Sequence, residues 1–158
     1  MIRFEEPVFM NVHHPSQRYA PILWLLLALF CLRVIGQMLV AFFNVSFLPA
    51  MVEWYSGLIP YPLLLPLQIV IIALMFKVCL DFTYGKGVFV RPYRPFRGAV
   101  LYFGYLYLIA MVLRYIVRMS LYPEERWFGG TIPIIFHWVL ASFVILFGHH
   151  HRSQRGNP

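Results

Sequence analysis

The chain has 158 residues, of which 61% are hydrophobic and only 12% charged, where a water-soluble domain carries about a quarter charged. That composition excludes a soluble globular domain, and a mean hydropathy of +0.71 makes hydrocarbon the solvent for most of the surface. A net charge of +7 would suggest nucleic acid as partner in a soluble protein. In a membrane protein the same excess of Lys and Arg belongs to cytoplasmic loops, so no nucleic-acid partner is inferred.

Taken from the N-terminus, residues 1–19 are polar and hold Arg3, Glu5, Glu6, His13, His14 and Arg18. The first apolar run, residues 20–44, is too long for the ~7–15-residue core of a signal peptide and reads as a mature spanning segment. Residues 47–56, with Glu53, Trp54 and Tyr55, predict a short interfacial helix whose aromatic rings lie at headgroup depth. The second span is residues 62–82. Proline in its first turn is harmless, but Pro66 lies further in and is expected to bend the helix or delay its start. Lys77 and Asp81, four residues apart, are expected to pair. The connection after it, with Pro92 and Pro95, predicts an extended loop. The third span is residues 98–118. A turn marked by Trp127 and Gly129-Gly130 then leads to the fourth, residues 131–148, with Thr131 as a helix cap. Each run reaches the ~20 residues needed to cross a ~30 Å hydrocarbon core.

The expected architecture is therefore one domain, residues 1–158: an all-α integral membrane protein built as an antiparallel four-transmembrane-helix bundle. Orientation follows from the basic residues. Arg3, Arg18, Lys86, Arg91, Arg94, Arg97, Arg152 and Arg155 fall on one side, and only Arg126 on the other. Both termini are expected in the cytoplasm, which suits a bacterial inner membrane. Gly36, Gly104, Ala110 and Ala141 are the positions where helices are expected to approach closely.

Polar residues at membrane depth are the functional lead, because a charge there costs about 2.5–3.5 kcal/mol on insertion scales. Arg33 stands roughly 20 Å along the first span by helix rise. Arg33, Gln37, Ala41 and Asn44 recur at helical spacing and predict a polar stripe. Gln68 on the second span, Arg114 on the third and His137 on the fourth fall at matching depth. These residues predict a polar site in the outer half of the bundle, for a ligand or a neighbouring subunit, with Glu53 as a nearby carboxylate. No carboxylate lies in a span at the depth of Arg33, so its partner must be a bound anion, Glu53 folding inward, a carbonyl or water, or another chain. Arg118 reads as an interfacial side chain reaching for water. The plainer alternative for Gln37, Gln68 and His137 is helix-to-helix hydrogen bonding.

No metal is assigned. The exposed histidines His13, His14, His149, His150 and His151 are a weak candidate cluster, without cysteine or a fixed ligand spacing. Cys31 and Cys79 read as small buried thiols. No cofactor is implied, and a haem held by two histidines is not supported, since only His137 lies in a span. There is no phosphate-binding Gly-rich loop, no His-Glu-x-x-His and no Gly-x-Ser-x-Gly, so no reaction is named. The chain shares no specific motif with small four-span families such as quinone-linked redox proteins or cytochrome b561-like subunits.

Two functional readings remain. The first is a non-catalytic accessory subunit of a larger, energy-transducing membrane complex, with lipids and other subunits, or a second copy, as partners. The alternative is a binding protein or enzyme for a quinone, a lipid or another amphipathic ligand. A homo-oligomeric channel ranks below both.

Overall fold

The computed structural model describes residues 15–54, 60–91, 98–123 and 131–153, and among these there is no strand. After a turn of 3-10 helix at Gln17–Tyr19 come α1 (Ala20–Phe43), the short α2 (Met51–Trp54), α3 (Tyr61–Tyr84), α4 (Ala99–Leu121) and α5 (Thr131–Ser153). The four long helices have 23 or 24 residues each, about 35 Å at 1.5 Å per residue. All four are long and apolar enough to cross a membrane. The chain is a multi-pass membrane protein.

Helix ends are set by residues that tolerate a left-handed backbone. Asn44 ends α1 with φ 50°, and Gly85 ends α3 with φ 62°; both carry the reversal at low steric cost. The start of α3 is not delayed by Pro66: the helix begins at Tyr61 and runs through it. The acceptor that Pro66 leaves without its usual donor is the carbonyl of Pro62, still in the first turn. The last helix continues to Ser153, five residues past its expected end, so His149, His150 and His151 are helical.

The helices pack in the order α3, α1, α5, α4, with α2 lodged against α1 and α5. Leu23, Leu27, Phe30 and Val34 of α1 meet Met75, Val78, Cys79 and Phe82 of α3, with Phe143 of α5 closing the cluster. The first turns of α1 meet the last turns of α3, where Trp24 Nε1 donates to Thr83 Oγ1 at 2.9 Å. Small residues make the α4–α5 seam. A Cβ on Gly104 would come within 3.2 Å of the Ile145 backbone nitrogen, and one on Gly148 within 2.9 Å of Leu101 Cα. Ala141 is fully buried, whereas Ala110, expected at a close approach, is exposed and marks none. The rest of α4, including Tyr102, Phe103, Leu106, Ile109 and Leu113, faces outward, as a lipid-facing helix should.

A latch closes the end near the start of α1. Asp81, buried near the end of α3, pairs with Lys77 as expected. Its other oxygen accepts the Phe89 N–H at 3.2 Å. Gly87 passes over this carboxylate with φ 127°, where a Cβ would collide with it. Phe89 and Val90 are thereby drawn onto the apolar core.

Candidate functional site

α1 and α3 carry the buried polar side chains of the region. Arg33 is 8% exposed and Gln37 1%, one helical turn apart, and Gln68 of α3 is 3% exposed. Gln68 Nε2 donates to Gln37 Oε1 at 3.0 Å. The predicted stripe stops there: Ala41 and Asn44 are exposed, and Asn44 serves as the end of the helix. Ala41, eight residues on, has drifted about 80° round the helix from Arg33, whereas Asn44 returns to the same face but lies at the end of α1.

The partner of Arg33 is a carbonyl of its own chain. Its Nη2 donates to the Trp54 carbonyl at 3.2 Å, and its guanidinium carbon sits 5.7 Å from the centre of the Phe136 ring. Among the described residues no carboxylate pairs with it. A hydrogen bond to a charged group contributes about 1.5–3 kcal/mol and a desolvated cation over a ring about 2, comparable to the ~2.5–3.5 kcal/mol insertion cost. The chain therefore offsets most of the cost of this guanidinium itself.

Trp54 makes that possible by being buried against α1. It is 8% exposed, and its indole N–H donates to the Pro49 carbonyl at 2.9 Å. Its ring lies in the notch left by Gly36, where a Cβ would be 2.7 Å from Cη2. A glycine one turn beyond a buried arginine leaves space for a ring, and the ring carries an acceptor to the arginine. Glu53, beside it on α2, is half-buried. Tyr55 lies outside the described residues.

The second part of the site belongs to α4 and α5. The Tyr107 hydroxyl is hydrogen-bonded to His137 Nδ1, with the rings edge-to-face. Arg114, half-buried, lies two turns beyond Tyr107 on α4. Among the described residues Arg114 makes no hydrogen bond or ion pair. Phe136, under Arg33, is the neighbour of His137. Of the five polar residues Arg33, Gln37, Gln68, Arg114 and His137, contacts pair Gln37 with Gln68 and His137 with Tyr107, while Arg33 lies on Trp54 and Phe136 and Arg114 is joined to neither pair by a hydrogen bond.

Several buried polar atoms here lack a hydrogen-bond partner among the described residues: Arg33 Nε, Gln37 Nε2 and Gln68 Oε1. An unmet buried donor or acceptor costs about 1–3 kcal/mol, and hydrocarbon offers it nothing. Exchanging the amide oxygen and nitrogen of both glutamines leaves the same inventory, one spare donor and one spare acceptor.

Sequence reasoning missed Trp54 as the residue whose carbonyl accepts from Arg33 and Tyr107 as the partner of His137. Tyr107 carried a signal, since it shares a helix face with Arg114 seven residues on. For Trp54 there was none, because any residue can offer a carbonyl.

Among the described residues, His149, His150 and His151 do not converge. His149 is exposed and bonded to Tyr105 on α4 at 2.9 Å. His150 and His151, expected to be exposed, are buried. The His150 ring packs on Tyr19 and Phe82 and hydrogen-bonds the Val90 backbone, and His151 packs on Phe147. Three consecutive helical residues point about 100° apart and cannot converge on one ion. Among the described residues no group of three or more His, Cys, Asp or Glu could hold a metal; His13 and His14 lie outside them. No family model, no relative among characterised proteins and no solved structure matches the chain.

Proposed function

We propose that this multi-pass membrane protein binds an amphipathic ligand, whose polar head lies among Arg33, Gln37 and Gln68 and whose apolar tail lies in the bilayer. The observation carrying this reading is the set of unmet polar atoms on these three side chains, all at least nine-tenths buried. Helix glue alone would be expected to satisfy itself, since an unsatisfied group costs more than its partner contributes. A head bearing both a donor and an acceptor would complete the pair of glutamines, and Arg33 Nε adds a second donor. In this reading the four helices form an antiparallel arrangement with both termini in the cytoplasm of a bacterial inner membrane, the site lying in the outer half. Among the described residues no nucleophile or acid–base pair with a named reaction accompanies the site, so binding rather than catalysis is proposed.

A second reading, an accessory subunit of a larger membrane complex, draws support from α4, which packs on α5 and presents a long aromatic and aliphatic face. It does not require a neighbouring chain to supply a hydrogen-bond acceptor for Arg33, because the Trp54 carbonyl is one. Native mass spectrometry of the protein extracted in mild detergent separates the two. A small-molecule adduct, lost in Arg33→Met with the bundle still folded, supports ligand binding. A stoichiometric protein partner on a chain without an adduct supports the subunit reading and overturns the first.

A further inference from the structure

We propose that the head of the ligand is neutral and bears a hydroxyl, which donates to one amide of the Gln37–Gln68 pair and accepts from the other. The inference rests on the amphiphile-binding reading and adds the chemical class of the head. Two side-chain amides can join through two hydrogen bonds in a ring, each giving a donor and taking one. Here they make only one: Gln68 Nε2 donates to Gln37 Oε1 at 3.0 Å. Gln37 Nε2 and Gln68 Oε1 are left unmet among the described residues, on side chains 1% and 3% exposed. The nitrogen and oxygen of one amide are about 2.2 Å apart, so the two spare atoms lie within about 7.5 Å of each other. They sit in the seam between α1 and α3. Tyr61, two turns before Gln68 on the same face of α3, also has a hydroxyl without a partner among the described residues, and its ring lies 6.2 Å from that of Phe42 on α1. The unmet groups thus follow this seam inward from the Tyr61 end of the bundle.

One spare donor and one spare acceptor select among heads. An anion offers acceptors only, so it would answer Gln37 Nε2 and set a lone pair against Gln68 Oε1. Exchanging nitrogen and oxygen in both amides moves the spare acceptor to Gln37 without removing it. Exchanging them in one amide alone would set two donors or two acceptors against each other at 3.0 Å. A ketone or an ether fails as an anion does. An ammonium head would answer the acceptor but bring a second positive charge near Arg33, one turn from Gln37 on α1 and already bound to the Trp54 carbonyl. A hydroxyl is uncharged, donates once and accepts twice. Two hydrogen bonds of about 2.8 Å from one oxygen reach a donor and an acceptor up to about 5.5 Å apart, inside the limit that the amide pair sets.

The test uses the full-length protein in phosphatidylcholine nanodiscs containing one of three probes that share an acyl chain: oleyl alcohol, oleyl methyl ether or oleyl phosphate. Retained probe is measured by mass spectrometry against nanodiscs without protein. Wild type is expected to retain the alcohol over the ether and the phosphate by about tenfold or more, the scale of one buried polar group left unmet. The Gln37→Leu, Gln68→Leu double variant should lose that preference. A readout independent of any variant is the side-chain amide NMR signals of Gln37 and Gln68 in wild type, which should shift with the alcohol and stay in place with the ether. Equal retention of alcohol and ether, or a preference for the phosphate, lost in the double variant, would overturn the hydroxyl head and leave the binding site standing. A preference for the alcohol that survives in the folded double variant, with unshifted amide signals, would place the binding elsewhere and overturn the inference. No retention of any probe by folded wild type would leave a buried water as the partner of the two amides and overturn it too; absence of any native adduct would then remove the underlying reading as well.

Discussion

Gly36→Ala adds one methyl group at the point where the bundle and the site meet. The new Cβ would lie 2.7 Å from Trp54 Cη2 and 3.1 Å from Cζ3, well inside van der Waals contact. The ring cannot turn away freely: its N–H is bound to the Pro49 carbonyl, and the carbonyl of the same residue is bound to Arg33. Overpacking costs about 1–3 kcal/mol, partly offset by about 1 kcal/mol gained in helix propensity over glycine. If the displaced ring drags its carbonyl off Arg33, about 1.5–3 kcal/mol of charge-assisted bonding is lost in addition. The expected total is about 2–4 kcal/mol, read as a lowered midpoint in denaturant titration of the protein in mixed micelles. Trp54→Phe removes the part of the ring that the methyl group meets. The double variant should therefore be less destabilised than the sum of the two singles by at least ~1 kcal/mol. Strict additivity would show that Trp54 does not occupy the Gly36 notch and would break the route from notch to guanidinium.

Three further outcomes are expected. Gly148→Ala places a Cβ 2.9 Å from Leu101 Cα and 3.0 Å from its nitrogen; backbone cannot swing aside as a side chain can, so a loss of about 1–3 kcal/mol in the same titration is expected. Asp81→Ala frees the loop beyond α3, and hydrogen exchange at the Phe89 amide should accelerate about tenfold or more, while Val34 and Leu27 amides at the centre of α1 stay protected. Gln37→Leu and Gln68→Leu should each destabilise by about 1–3 kcal/mol, because each strands its partner, whereas the double variant should be close to neutral; a double variant as unstable as the two singles together would mean that the pair does more for the fold than bond to itself.

The spans were legible because twenty apolar residues in a row leave no alternative in chain physics, and the starts of α1, α3 and α4 fell within a residue of expectation. Ends were less legible: nothing in a His-His-His-Arg run forbids helix, so α5 continues through it. Arg33, Gln37 and Gln68, polar residues within apolar runs, are buried, and the Lys77–Asp81 pair was readable from spacing. The inward turn of Trp54 was not, because an amphipathic tryptophan favours the interface unless a notch and an unmet cation draw it in, and both are tertiary. Nor was the burial of His150 and His151 visible, since it depends on Val90 and Phe89 being drawn back by Asp81 over the end of the bundle. The helix order, with α4 resting chiefly on α5, is likewise a property of packing that periodicity does not encode.

A density map of the protein extracted with its native lipids would examine the polar atoms of α1 and α3 where they stand. A non-protein feature larger than water, within hydrogen-bond distance of Gln37 Nε2, Gln68 Oε1 or Arg33 Nε, is the expected result. A dry void or a lone water at that position, with Arg33 still on the Trp54 carbonyl, would mean that these groups serve the fold and nothing else.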